Sequence, residues 1–471
     1  MKEKINVRQN DSLVKNTFLL SFGALLTKGL SFVLVPFFSR WLTTEDYGTF
    51  DLMGTYVSLL IPIITLACGE AIFRFSVDSD DELKKRAYVT NGLFILIVNL
   101  IFAVVIAGAA NVIFDIKLIV PFFLLLIGEL LNNHLQSFLR ATRHLDIYSF
   151  GSAITTIGFA IFVFLFVRIL NLGLPGMMYG YAAGYLFGDA ILFVSSKYWH
   201  YISFKSVSIQ RMKEMIRYSY VLIPNSLSWW ILNVSDRLVI NYFLGVAANG
   251  IYAIAYKIPN LCSSIFGMFS ISWQQQASIM TDENEKSKYF QKIYNQTLAV
   301  LLSLCAGILS CNFLFFNYIF DGRYYEAHLY APILATAIVF MSMSQFFGGI
   351  QISLKQPKEN GITTIIGAVV NLVVNVLLIK FIGLYAAAIS TLVSNIIVTE
   401  VRKIRLTCKY TFKLQKNNYF NILIFCYFFI MSYIISNLWL NLVNLVLACL
   451  FCLFVNRNLI FKIFKGLIMR K

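Results

Sequence analysis

Apolar residues run through this chain in blocks, and the polar residues collect in the short intervals between them. Each block is long enough to cross about 30 Å of hydrocarbon as a helix rising 1.5 Å per residue. About 14 such blocks are read: residues 15–39, 47–73, 88–110, 118–139, 148–170, 174–195, 216–240, 248–272, 291–317, 328–353, 361–381, 383–401, 419–438 and 440–456. The last is the shortest. Gly383, three residues after Lys380, marks a tight turn that splits the stretch 361–401 in two.

Composition agrees with the pattern. Only 13% of the 471 residues are charged and 58% are hydrophobic, whereas a soluble chain carries about 25% charged residues. The fold class expected is an all-α polytopic membrane protein. The first 16 residues are polar with no cleavage site after them, so the first span is expected to act as the insertion signal.

The charge adds orientation. On the side of the N-terminus the intervals hold 31 Lys and Arg; the opposite side holds six, and Lys28 and Lys257 lie within spans, which accounts for all 39. Such an excess marks the cytoplasmic face. Both termini are therefore expected in the cytoplasm, with an even number of spans. The net charge of +16 is spread over these intervals, which argues against a nucleic-acid partner.

The chain also repeats itself. At an offset of 202, Leu42 matches Leu244, Gly48 matches Gly250, Asp80 matches Asp282 and Lys84 matches Lys286. Further on, Arg140 matches Lys355 at 215 and Gly173 matches Gly383 at 210. Six spans separate the copies, which makes a parallel repeat about an axis along the membrane normal. The organisation expected is a cytoplasmic tail (1–14), an N-lobe of six helices (15–195), a linker (196–215) and a C-lobe of six helices (216–402). A basic loop (403–418), two C-terminal helices (419–456) and a basic tail (457–471) follow.

Several chemistries are not expected. Cys449 and Cys452 have CxxC spacing but sit in an apolar run, and the four His form no ligand set, so no metal is expected. There is no phosphate-binding glycine loop and no extramembrane segment large enough for a catalytic domain. An enzyme is not expected, and neither is a cofactor. A membrane-embedded polymerase or glycosyltransferase would need a large external loop or an acidic cytoplasmic motif, and neither is present.

Charges inside the spans carry the functional question, because intramembrane ionisable residues face protein or a water-filled cavity. Lys28 shares a helical stripe with Ser21, Ala24, Ser31 and Val35; Lys257 shares one with Ala253, Asn260 and Ser264. Either lysine can bind an anion or close an internal ion pair. Pro259 bends the helix beside Lys257. Glu70 and Arg74 are spaced for an i, i+4 pair. Asp236 and Arg237 are adjacent, so each needs a partner elsewhere. Glu129 and Asp189 lie deep in spans and, with Glu70, are candidates to carry H+ or Na+. Trp229, Trp230, Tyr252 and Tyr256 are candidates to stack on the C–H face of a ligand.

The stretch from Lys15 to Phe75, with an early "KN", a span ending near Pro36, "L-x-x-x-x-Y-G" at 42–48 and "RF" at 74–75, resembles the start of Wzx-type polysaccharide-repeat flippases. "FLRATRHLDIY" (138–148) and "YFLGVAANGIYAIAYKIPNL" (242–261) fit the same family, part of the multidrug/oligosaccharidyl-lipid/polysaccharide exporter superfamily. The resemblance covers roughly residues 15–410. It implies a MATE-like fold with two six-helix lobes plus two further helices. It implies a bacterial inner-membrane protein that moves an undecaprenyl-diphosphate-linked oligosaccharide between leaflets by alternating access, for O-antigen, capsule or exopolysaccharide. A polysaccharide polymerase and a chain-length regulator would be partners beside membrane lipids. Lys28 and Lys257 would bind the diphosphate or an acidic sugar, and Arg74, Arg140 and Lys355 would attract the anionic head. Another substrate on the same fold stays open: a teichoic-acid or peptidoglycan lipid precursor, or a drug or cation.

Overall fold

The computed structural model describes residues 23, 26–77, 81–115, 117–280 and 283–468. The tail 1–14, Ser21 and Ala24 beside Lys28, and the repeat residues Asp80 and Asp282 lie outside them. The regular structure among the described residues is entirely helical, and 11 helices are long and apolar enough to cross a membrane. The chain forms two compact units, the first of Met1–Leu34 and Thr49–Trp230, the second of Val35–Gly48 and Ile231–Lys471.

The first unit holds the start of α1 (26–41) and most of α2 (Thr44–Ile64), then α3 (Cys68–Val77), α4 (Glu82–Phe114), α5 (Ile119–Ala141), α6 (Leu145–Val163) and α7 (Gly173–Ser195). The short α8 (Ile209–Ser219) and most of α9 (Ile223–Val234) complete it. The apolar block 47–73 is not one helix. It breaks after α2, where Leu66 and Ala67 both take left-handed φ of 49° and 52°. That conformation costs roughly 1–2 kcal/mol per Cβ-bearing residue, so the freed polar groups must be satisfied. Ala67 N–H reaches Pro62 O at 3.2 Å and Cys68 N–H reaches Thr65 O at 2.9 Å. The Ile64 carbonyl, left without its helical donor, accepts from Asn99 Nδ2 on α4 at 2.7 Å.

Glycine spacing brings α6 and α7 together. Gly180, Gly184 and Gly188 recur every four residues, and a Cβ on Gly188 would come within 2.1 Å of Thr155 Oγ1 on α6. Small residues at this spacing let helix backbones approach closely in a membrane. The linker helix α8 buries Met215 against Ile72 and Val89 while leaving Lys213 and Arg217 exposed.

The second unit contains α10 (Asp236–Leu244), α11 (Val246–Ile279), α12 (Glu283–Leu314), α13 (Ala331–Ser353), α14 (Pro357–Ile382) and α15 (Leu384–Thr407). Two more helices, α16 (Lys416–Ile434) and α17 (Leu438–Ile468), both lie along α12 and scarcely touch each other. α13 is the most buried of the spans and packs against α11 and α15. Residues 35–48 belong here, and they meet the start of α11 at two glycines. A Cβ on Gly48 would sit 2.0 Å from Val246 O, and one on Gly250 would sit 2.1 Å from Thr44 O. The 202-residue offset exchanges the two contacts, since it equates Gly48 with Gly250 and Thr44 with Val246.

The helix boundaries correct one part of the repeat. α5 and α13 each have 23 residues, and α13 begins 212 positions after α5 (331 against 119). The counterpart of Lys355 is therefore Arg143, not Arg140. Both follow their helix by two residues and both are left-handed, with φ of 60° and 62°. Arg140 sits a turn earlier, inside α5. Matching residue types missed this because arginines occupy both 140 and 143.

Candidate functional site

In the first unit α5 carries a polar stripe within its apolar sequence. Glu129, Asn132, Asn133, Gln136, Ser137 and Arg140 recur at three- and four-residue intervals, so they share one face. With Tyr148 and Ser152 of α6 and Tyr185 of α7 they line a cavity of about 370 Å³. Asn132 Nδ2 donates to Asp189 Oδ1 at 2.7 Å, and Gln136 Nε2 donates to Ser152 Oγ at 3.2 Å. Gln136 Oε1 and Asp189 Oδ2 are buried without hydrogen-bond partners among the described residues. Unsatisfied buried acceptors are costly, and they are capacity for a donor such as a sugar hydroxyl or a proton. At the cavity's end Arg140 donates to Glu70 Oε1 of α3 at 3.0 Å and lies 5.5 Å from the Phe73 ring.

The second unit has its own polar centre. Asp236, 2% exposed, opens α10. Its Oδ2 accepts from Thr391 Oγ1 at 2.6 Å and from Tyr252 OH at 2.9 Å; its Oδ1 accepts from Asn375 Nδ2 at 3.2 Å. The side-chain oxygens of Asn371 and Asn375 are buried there without hydrogen-bond partners among the described residues. A carboxylate held by neutral donors, with two carbonyl oxygens left over, suits a small cation or a proton. Helices α10, α11, α14 and α15 each contribute.

The profile of the polysaccharide biosynthesis protein family matches residues 13–273, more than half of the chain. The chain belongs to that family. Among similar proteins, the probable low-salt glycan biosynthesis flippase Agl15 of Haloferax volcanii is 26% identical over 195 residues, which is 41% of each chain. This chain thus spans about two fifths of that relative's length. An uncharacterized membrane protein, MJ1068, of Methanocaldococcus jannaschii is 23% identical over 379 residues, 77% of this chain and 70% of that one. Of solved structures, the lipid II flippase MurJ in its inward closed conformation has a TM-score of 0.71 at 14% identity, covering 95% of this chain and all of that one. An inward-facing multidrug resistance MATE family transporter of the MOP superfamily has 0.59 at 14%, covering 82% and 95%. These likenesses give the fold: this polysaccharide biosynthesis protein is an all-helical membrane protein with a MATE- and MurJ-like architecture.

The residues singled out in the sequence of this family member fall in separate places. Glu129 and Arg140 line the α5 cavity, Asp189 is tied to its lining through Asn132, and Glu70 pairs with Arg140. Lys28 and Arg74 are exposed in the first unit, and each has an interaction of its own. Lys257 is half-buried on α11, and Lys355 is exposed past the end of α13. Trp229 is 57% exposed, whereas Trp230 is buried with its indole N–H on Ser58 Oγ at 3.0 Å. Tyr252 is buried against Asp236, and Tyr256 is buried with the Arg237 guanidinium 5.5 Å from its ring centroid. Sequence reasoning passed over Asn132, Gln136, Asn371, Asn375 and Thr391. Their signal was available for α5, where the carboxamides share the helical face of Glu129.

Proposed function

We propose that this protein is a flippase that moves undecaprenyl-diphosphate-linked oligosaccharide repeat units across the bacterial cytoplasmic membrane by alternating access. The product would feed O-antigen, capsule or exopolysaccharide, with a polymerase and a chain-length regulator acting downstream. The observation that carries this reading is the α5 cavity. Carboxamides, hydroxyls, one arginine and Glu129 line a hollow among membrane-spanning helices of the first unit, a lining that suits hydroxyl-rich sugar, with the arginine for an anionic linkage. Membership of the polysaccharide biosynthesis family supports it.

Within this reading Lys28 and Lys257 take the diphosphate, as compact cations that suit phosphate. Arg74, Arg140 and Lys355 draw the head group in. Trp229, exposed, offers a ring for a sugar face; Trp230, Tyr252 and Tyr256 would do so only after their burial is relieved. Glu129 and Asp189 in the first unit and Asp236 in the second are the acids proposed to couple the cycle to H+ or Na+. Both termini are assigned to the cytoplasm.

The test follows lipid-linked oligosaccharide in cells with and without the gene, resolving the leaflets with an impermeant glycosidase. The expected result is loss of surface polymer with intact repeat units retained on the inner leaflet. Normal arrival of repeat units in the outer leaflet would reject the reading. With Lys28→Ala and Lys257→Ala, wild-type export at normal protein abundance would reject the anion site while leaving the flippase reading in place.

A further inference from the structure

A second hollow, of about 560 Å³, lies wholly within the second unit, where α12, α16 and α17 come together at the Lys416 end of α16. Because α16 and α17 both pack on α12 and barely on each other, a cleft stays open between them. Its lining is polar, although the three helices are apolar along most of their length. Asn295 anchors it. Its Oδ1 accepts from Gln415 N–H and from Asn418 Nδ2, at 2.9 and 2.8 Å. Asn421 Nδ2 then donates to Asn418 Oδ1 at 3.0 Å. The chain of carboxamides ends at the Asn421 carbonyl oxygen, on a residue 6% exposed, with no donor to it among the described residues.

Two cations complete the lining, Lys416 at the first turn of α16 and Arg457 on α17. Neither has a carboxylate partner among the described residues, and no acid lines the cleft. After Glu400 the chain has 11 Lys and Arg and no Asp or Glu. Phe420 and Phe454, 59% and 63% exposed, flank the mouth, and the apolar faces of α16 and α17 run on from it through Leu423, Ile430 and Leu450. Thus a hollow lined by carboxamides and two cations sits at the head of an exposed apolar track.

We propose that this cleft binds the phosphate-bearing head of a membrane lipid, whose chains lie along α16 and α17. Lys416 and Arg457 hold the phosphate, and the Asn421 carbonyl oxygen accepts from a hydroxyl of the head. Basic pockets between transmembrane helices bind anionic lipid heads in this manner. The apolar track beside the mouth selects a lipid over a soluble phosphate. The assignment stands apart from the flippase reading, since it concerns a lipid bound at the α12–α16–α17 cleft whatever the protein transports.

The test is native mass spectrometry of the full chain in detergent, titrated with phosphatidylglycerol, phosphatidylcholine, undecaprenyl phosphate and inorganic phosphate. Wild type should prefer phosphatidylglycerol to phosphatidylcholine. The Lys416→Gln/Arg457→Gln variant, altered at two exposed side chains, should bind phosphatidylglycerol roughly ten- to thirtyfold more weakly. Asn421→Leu, which keeps the charge, should weaken it by about threefold. Lys197→Gln/Lys205→Gln removes the same charge from the first unit and should leave binding unchanged. Displacement by undecaprenyl phosphate identifies the occupant as a carrier lipid, and its failure to displace identifies a bulk phospholipid; both agree with the proposal. Undiminished binding by the Lys416/Arg457 variant overturns it. So does equal loss in the Lys197/Lys205 control, or occupancy by inorganic phosphate as tight as by lipid.

Discussion

Asp236 is where a single residue commits most of its surroundings. A carboxylate this deep is tolerated only with its lone pairs satisfied, and Thr391, Tyr252 and Asn375 supply the donors. Thr391→Val keeps the shape and removes the 2.6 Å donor. The expected cost is about 1–3 kcal/mol, read as a lower melting temperature of the purified protein in detergent; an unchanged melting temperature would show that the hydroxyl is dispensable. Arg402 poses the converse case. It is 6% exposed, and its guanidinium donates to Thr363 Oγ1, Ser344 O, Asn360 O and Thr364 Oγ1, all neutral acceptors on α13 and α14. Lysine cannot reproduce that fork, so Arg402→Lys is expected to destabilise by about 2 kcal/mol, measured in the same way. The sequence showed that Asp236 needs a partner beyond Arg237. It could not show which, because the partners lie 139 and 155 positions away for Asn375 and Thr391, and no periodicity links residues across such distances.

At the level of the helix, glycines decide where backbones meet. Gly48 and Gly250 face the carbonyls of Val246 and Thr44 at distances that no Cβ tolerates. Gly48→Ala must push α2 and α11 apart, at a cost of about 1–3 kcal/mol for overpacking. Gly54→Ala lies on the same helix with open space around it, and it should be neutral or slightly stabilising, since alanine is the better helix former. Equal melting temperatures for the two variants would refute the close-approach argument. Most span positions were legible because length and hydropathy suffice to place a membrane helix, but the block 216–240 is divided at Ser235 between α9 and α10. The break at Leu66 and Ala67 was not legible, because neither residue is Gly and Pro62 lies three residues before Thr65. What sustains it is Asn99 on another helix. Asn99→Leu removes the donor to Ile64 O, and it should lower the melting temperature by a loss of about 1–3 kcal/mol.

For the molecule as a whole, the distribution of charge is the feature most open to a direct check. Thirty-one of the 39 Lys and Arg fall on the intervals that the 14-span reading of the sequence puts on the side of the N-terminus. The last 71 residues, with no acid to offset their cations, strengthen the bias at the α15–α16 loop and beyond. The chain carries a reporter for the test. Cys408 is exposed in the basic loop after α15, while Cys426 and Cys449, also exposed, sit among the apolar residues of α16 and α17. A water-soluble, impermeant maleimide reacts where a thiol meets water, not lipid. In intact cells Cys408 is expected to stay unlabelled, and to label once the membrane is opened. Lys117→Cys, in the exposed turn between α4 and α5, should label in intact cells. Labelling of Cys408 in intact cells would invert the orientation. The charge bias would then have a different origin, and the Lys416–Arg457 cleft would face the outer leaflet.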